Sequence, residues 1–143
     1  MGFLVTDFTP VNSNGPTVLV PSSKDVVTKV FKVSRSDTTA TLKVVLPADA
    51  SIMAVRFYGG TASDAGTSAT LTITAANNSG TVSTGTYDVK TNGAITGELT
   101  MSNLPNVQPV PLTGDITIKA TYAETGTVST TGGPWNMSVS YIR

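Results

Sequence analysis

Between residues 68 and 75 the chain alternates without a break. Ala69, Leu71, Ile73 and Ala75 take one set of positions, and Ser68, Thr70, Thr72 and Thr74 take the other. A strand turns successive side chains to opposite faces, so a period of two predicts a sheet with one buried and one polar face. Three further segments repeat the pattern. Ala40, Leu42, Val44 and Leu46 alternate with Thr39, Thr41 and Lys43. Ile116, Ile118, Ala120 and Tyr122 alternate with Asp115, Thr117, Lys119 and Thr121. Trp135, Met137, Val139 and Tyr141 alternate with Asn136, Ser138 and Ser140. No segment sustains the 3.6-residue period of a helix. Thr17–Val20, Val26–Val33, Ile52–Tyr58, Thr81–Lys90 and Ala94–Met101 are less regular strand candidates. The parity predicts one core containing Leu42, Val44, Leu71, Ile73, Ile116, Ile118, Met137 and Val139.

The breaks between these segments carry turn chemistry. Asn92-Gly93 predicts a two-residue type I′ hairpin, because both residues tolerate positive φ. Asn14-Gly15-Pro16, Gly59-Gly60, Asn77–Gly80 and Gly132-Gly133-Pro134 read as loops. Leu104–Pro111 holds three prolines, which excludes a central strand and predicts an extended crossing between sheets. Eight or nine short strands with one long crossover predict an all-β, two-sheet sandwich of jelly-roll or Greek-key type. An immunoglobulin-like sandwich is the alternative, though it lacks its Cys…Trp…Cys signature. The 143 residues fit a single domain, 1–143. Residues 1–14, with Phe3, Leu4, Val5 and Phe8, are either an edge strand or an apolar N-terminal arm.

Composition then narrows the chemistry. The chain has no histidine and no cysteine. It lacks the commonest acid/base group and metal ligand, the thiolate nucleophile and any disulfide. Lys+Arg and Asp+Glu both number 9, so no basic excess exists to neutralise nucleic-acid phosphates. Charged residues make up 13%, against about 25% in typical soluble domains. Such low charge fits either a surface covered by partners or one kept soluble by hydroxyl groups. No apolar run is long enough for a transmembrane helix, and the first residues do not form a signal peptide. Gly2 and Thr6 match a myristoylation pattern, but no polybasic cluster follows directly.

Two loops echo each other. Gly59–Gly66 follows Tyr58, and Ala123–Ser129 follows Tyr122; both are runs of small residues after an aromatic. Similar loop chemistry at one end of a sandwich is the expectation. Asp64 and Glu124 lie in these loops and are the one suggestive carboxylate pair. Glycoside hydrolysis would need two such groups across a cleft, but the nine carboxylates are otherwise scattered. No Asp-x-Asp-x-Asp spacing marks a calcium loop, and no phosphate-binding or nucleophile-elbow motif is present. Neither catalysis nor a cofactor is expected. Lys29 and Lys32 point to opposite faces of their strand by parity, which reads as a solvated edge. Trp135 and Tyr141 share parity with Met137 and Val139, which reads as core.

Two segments carry a resemblance. Pro47-Ala48-Asp49-Ala50 leads through a strand into Tyr58–Thr70, and Ile118–Gly126 leads through Thr131-Gly132-Gly133-Pro134-Trp135 to Ser140-Tyr141-Ile142-Arg143. In these the chain resembles small head decoration, or cement, proteins of tailed bacteriophages. Val82–Val110 carries no such likeness. The resemblance implies a jelly-roll domain on the outer capsid surface of a virion, made in the bacterial cytoplasm. The implied partner is the major capsid protein, with self-association as a dimer or trimer, and neither nucleic acid nor membrane. Contacts are then expected from Phe3, Leu4 and Phe8 of the arm, and from Thr61, Ser63, Asp64, Glu124, Thr125 and Thr127 of the echoing loops. A tail-fibre tip or carbohydrate-binding module is the alternative, with a carboxylate hydrolase behind it.

Overall fold

Each alternating segment forms a strand. The computed structural model describes residues 25–78, 80–101 and 114–143. They contain eight strands and no helix: β1 (Val26–Val33), β2 (Thr41–Leu46), β3 (Ser51–Phe57), β4 (Ser68–Asn77), β5 (Gly80–Asp88), β6 (Gly97–Leu99), β7 (Ile116–Thr125) and β8 (Trp135–Ile142). The candidates Thr17–Val20, residues 1–14 and Leu104–Pro111 lie outside the described residues.

The strands make two four-stranded antiparallel sheets, ordered β1-β8-β3-β6 and β2-β7-β4-β5. The pairs β1·β8, β2·β7, β3·β6 and β4·β5 are those of one long hairpin folded at its middle. The β8·β3 and β7·β4 pairs roll that hairpin onto itself. This is the eight-strand jelly roll. It is not the immunoglobulin order, which splits its strands four and three.

The parity prediction holds along β4, β7 and β8. Ala69, Leu71, Ile73, Ala75, Ile116, Ile118, Ala120, Tyr122, Trp135, Met137, Val139 and Tyr141 are all buried. They meet Val33, Leu46, Ile52, Val55 and Phe57 in a single cluster between the sheets. Phe57 also stacks on Tyr87 at 4.3 Å.

Leu42 departs from the prediction. The β2–β7 register shifts between Leu42 and Val44, a β-bulge that flips parity, and Leu42 is 53% exposed. Lys43, the extra residue, reaches Asp37 at 2.7 Å instead. Leu71→Ala and Ile118→Ala should therefore each cost about 2–5 kcal/mol. Leu42→Ala should stay within about 0.5 kcal/mol. Urea midpoints of the three variants check the assignment, and equal losses would count against the bulge.

The Asn92-Gly93 hairpin is also corrected. β5 and β6 lie in different sheets, so residues 89–96 cross the sandwich rather than reverse within one sheet. Asp88 opens that crossing by accepting bonds from the Lys90 and Thr91 amides at 2.9 and 3.1 Å. The Thr91 amide, above all, holds the Asp88 carboxyl below its ordinary value.

Candidate binding surface at the four-loop end

Strand register gathers four loops at one end. β1 and β3 both finish where β8 begins, at Val33↔Trp135 and Phe57↔Met137. β4 begins where β7 finishes, at Ser68↔Thr125, and β5 ends beside it at Thr70↔Asp88. Residues 34–40, 58–67, 89–96 and 126–134 thus face the same way.

Main-chain bonds tie these loops together. Gly66 N donates to Thr127 O at 2.8 Å, Thr67 N to Thr125 O at 2.9 Å, and Gly133 N to Thr61 O at 2.8 Å. Ser63 N donates to Val89 O at 3.0 Å. The echoing loops of the sequence do lie side by side, and they form an extension of the β4–β7 ladder.

Side chains complete the fastening. The Asp64 carboxylate accepts from Thr130 N at 2.8 Å, Thr130 Oγ1 at 2.7 Å and Thr131 N at 2.9 Å. A second network surrounds the Tyr122 hydroxyl. It donates to Glu124 Oε1 at 2.7 Å and lies 3.0 Å from Ser63 Oγ and 3.2 Å from Ser129 Oγ. A phenol has one proton, so with that proton on Glu124 both serines donate to it. Arg35 brings in the first loop through Ser129 O and Ser129 Oγ. Lys90 Nζ brings in the third through Ala65 O.

Under the network sits Trp135, fully buried and edge-on to Tyr122 at 5.4 Å. Three loop glycines press on its indole. A Cβ on Gly60 would stand 2.8 Å from Cδ1, one on Gly93 3.2 Å from Nε1, and one on Gly133 3.1 Å from Cε3. Each comes from a different loop. The aromatic thus sets the depth of three loops at once.

The structure places the expected contact residues unevenly. Thr61, Asp64, Thr125 and Thr127 are exposed at this end, and Glu124 is half-buried. Ser63 is buried, with its hydroxyl turned inward, so it offers no surface. Phe3, Leu4 and Phe8 lie outside the described residues. Sequence reasoning missed Arg35, Ser129, Thr130 and Thr131 as cross-links. It also missed the three glycines as contacts of Trp135. What faces outward is hydroxyl-rich: Thr38, Thr39, Thr91, Thr96, Thr130 and Thr131 join the residues above, with Ile95 and a 71% exposed Val128.

The two carboxylates of the echoing loops, Asp64 and Glu124, are held ionised. The Thr131 amide and the Thr130 hydroxyl and amide pull the Asp64 pKa from 3.8 down to about 2. The Tyr122 hydroxyl, followed by Ser129, lowers that of Glu124. A general acid needs the opposite shift. A depressed carboxylate pKa stabilises the fold above its unfolded value and stops doing so as pH falls through its folded value. Asp64→Asn should therefore lower the melting temperature at pH 7. The gap to the native protein should close as pH falls from 3.8 toward about 2. Thermal melts across that window check this, and a gap independent of pH would contradict it.

Among the described residues, no group of three or more carboxylates is placed to hold a metal ion. On the outer face of the first sheet, beside this end, a groove of about 370 Å³ is lined by Val30, Phe31, Lys32, Tyr58, Asn136 and Met137. Comparison with protein-family models, with curated proteins and with solved structures finds no match to this chain.

Proposed function

We propose that this chain is a bacteriophage virion structural protein, a capsid cement or decoration protein that binds across coat-protein junctions and stabilises the head. Its partner is the major capsid protein, and it sits on the outer capsid surface. The observation that carries the reading is the four-loop end: a pre-built, hydroxyl-rich surface, its carboxylates tied into the loops, on a jelly roll, an architecture shared by viral capsid and lectin domains. Loops already fastened to one another lose little freedom on docking, so more of each contact counts toward affinity. Many small identical contacts then hold the shell against outward pressure from packaged nucleic acid. Asp64 and Glu124 both serve as loop anchors, which supports a role without covalent chemistry.

One observation favours a second reading. Tyr58 is half-exposed beside the groove with Lys32 and Asn136, an arrangement on which a sugar ring could stack. That would suit a tail-fibre tip or carbohydrate-binding module.

Co-sedimentation with empty coat-protein shells separates the two. The native protein should sediment with shells, and moderate salt should weaken binding less than it would a charge-driven complex, because hydroxyl groups and Val128 make up most of the outward surface of this end. Val128→Asp, at an exposed site, should abolish binding while leaving the melting temperature unchanged. Protein that ignores shells but binds glycans, and loses this with Tyr58→Ala, would replace the capsid reading with the second one.

A further inference from the structure

β1 ends the first sheet, and among the described residues nothing pairs with its outer edge. The other edges are shorter or interrupted. β6 has three residues. β2 carries the register shift at Leu42/Val44, and β5 skips Val82 opposite Ala75/Ala76. β1 runs its full eight residues against β8 without a shift. A long regular edge is a template for another strand.

The edge is also apolar where it should be solvated. Val30 is 75% exposed and Val26 is 60% exposed, with Val30 the most exposed large hydrophobic of the described residues. Lys29 and Lys32 flank it, and neither has an ion-pair partner among the described residues.

We infer that β1 pairs antiparallel with β1 of a second copy, across a two-fold axis at Val30. The register follows from three conditions. An axis normal to the sheet keeps each core on the same side, so directly opposed residues must share a face, and their numbers must sum to an even value. Among such registers, sums of 58 and 60 leave only one residue of β1 unpaired. A sum of 58 sets Lys29 directly against Lys29 of the second copy, and like charges in that position are destabilising. A sum of 60 sets Val30 against Val30, Thr28 against Lys32, and Lys29 against Phe31. Every lysine then faces a neutral residue, and the most exposed apolar side chain leaves water. The result is an isologous dimer with a continuous eight-stranded sheet. The lysines act as register selectors, excluding the neighbouring alignment. This inference is independent of the capsid reading.

The chain has no cysteine, which makes the test direct. Opposed residues of an antiparallel pair lie at about 4.5–5.5 Å between Cα atoms, within disulfide range. The native protein should sediment at twice 14.7 kDa. Oxidised Val30→Cys should form a covalent dimer, whereas Val26→Cys, set against Ser34, should not. Val30→Lys should be monomeric where the native protein is dimeric, and should keep the native circular dichroism spectrum because the site is exposed in the single subunit. A monomeric native protein overturns the inference. So does a trimer, a dimer that Val30→Cys fails to link, or a link through Val26→Cys. No shells are used, so these outcomes leave the capsid test untouched.

Discussion

Trp135→Ala should be the most damaging truncation in this chain, with a loss of about 3–5 kcal/mol. The residue is fully buried and packs edge-on against Tyr122. Two effects add. Removing the indole opens a large cavity under the four-loop end, and the surrounding backbone can fill it only by moving. It also removes the surface on which Gly60, Gly93 and Gly133 rest, so three loops lose their common stop. Trp135→Phe should cost clearly less. It keeps much of the buried ring, and no hydrogen bond is lost, since Nε1 has no acceptor among the described residues. The measurement is urea unfolding followed by circular dichroism, because Trp135 is the only tryptophan and fluorescence disappears with it. A midpoint for Trp135→Ala equal to that of the native protein would remove Trp135 from the core.

Parity explains why so much of the fold was legible. In β4, β7 and β8 each core residue is separated from the next by one polar residue, and burial follows without exception from Ala69 to Ala75 and from Ile116 to Tyr122. Such strands leave no choice of face. β2 shows the limit. A bulge changes parity by one residue, and its extra residue, Lys43, pairs with Asp37 at 2.7 Å in the loop before the strand. Burial alone would raise the Asp37 pKa, but the Lys43 and Ser34 bonds outweigh it and lower it. Asn92-Gly93 failed for another reason. Local turn chemistry scores the freedom of glycine, whereas this glycine is needed for its small size, in a loop that changes sheets. The likeness of the loops after Tyr58 and Tyr122 was visible, and so was their shared end. Their fastening was not: Arg35 meets Ser129 across 94 residues, and Asp64 meets Thr130 across 66. Bonds that span such separations leave no periodic trace. The strand order has the same character, since β1 and β8, paired along their whole length, come from opposite ends of the described chain.

Gly93→Ala should then cost about 1–3 kcal/mol or more, by overpacking. A Cβ there would stand 2.3 Å from Val89 O and 2.6 Å from the Ala62 Cα. Both are main-chain atoms, so neither can rotate away as a flexible side chain would. Relief requires residues 89–96 to lift off Trp135, and with them the bonds from Ser63 N to Val89 O and from Lys90 to Ala65 O. Gly80→Ala is the control. Gly80 has φ of +123 and would meet nothing within 4 Å, so its penalty comes from backbone conformation alone. Both variants should unfold earlier than the native protein, but for different reasons. Only Gly93→Ala should shift the Trp135 fluorescence of the folded state, because only it disturbs the indole. If the four-loop end is the docking surface, Gly93→Ala should also weaken shell binding at temperatures where it remains folded, and Gly80→Ala should not. Unchanged fluorescence and stability in Gly93→Ala would mean that the third loop does not rest on Trp135, and that the end is held by its hydrogen bonds alone.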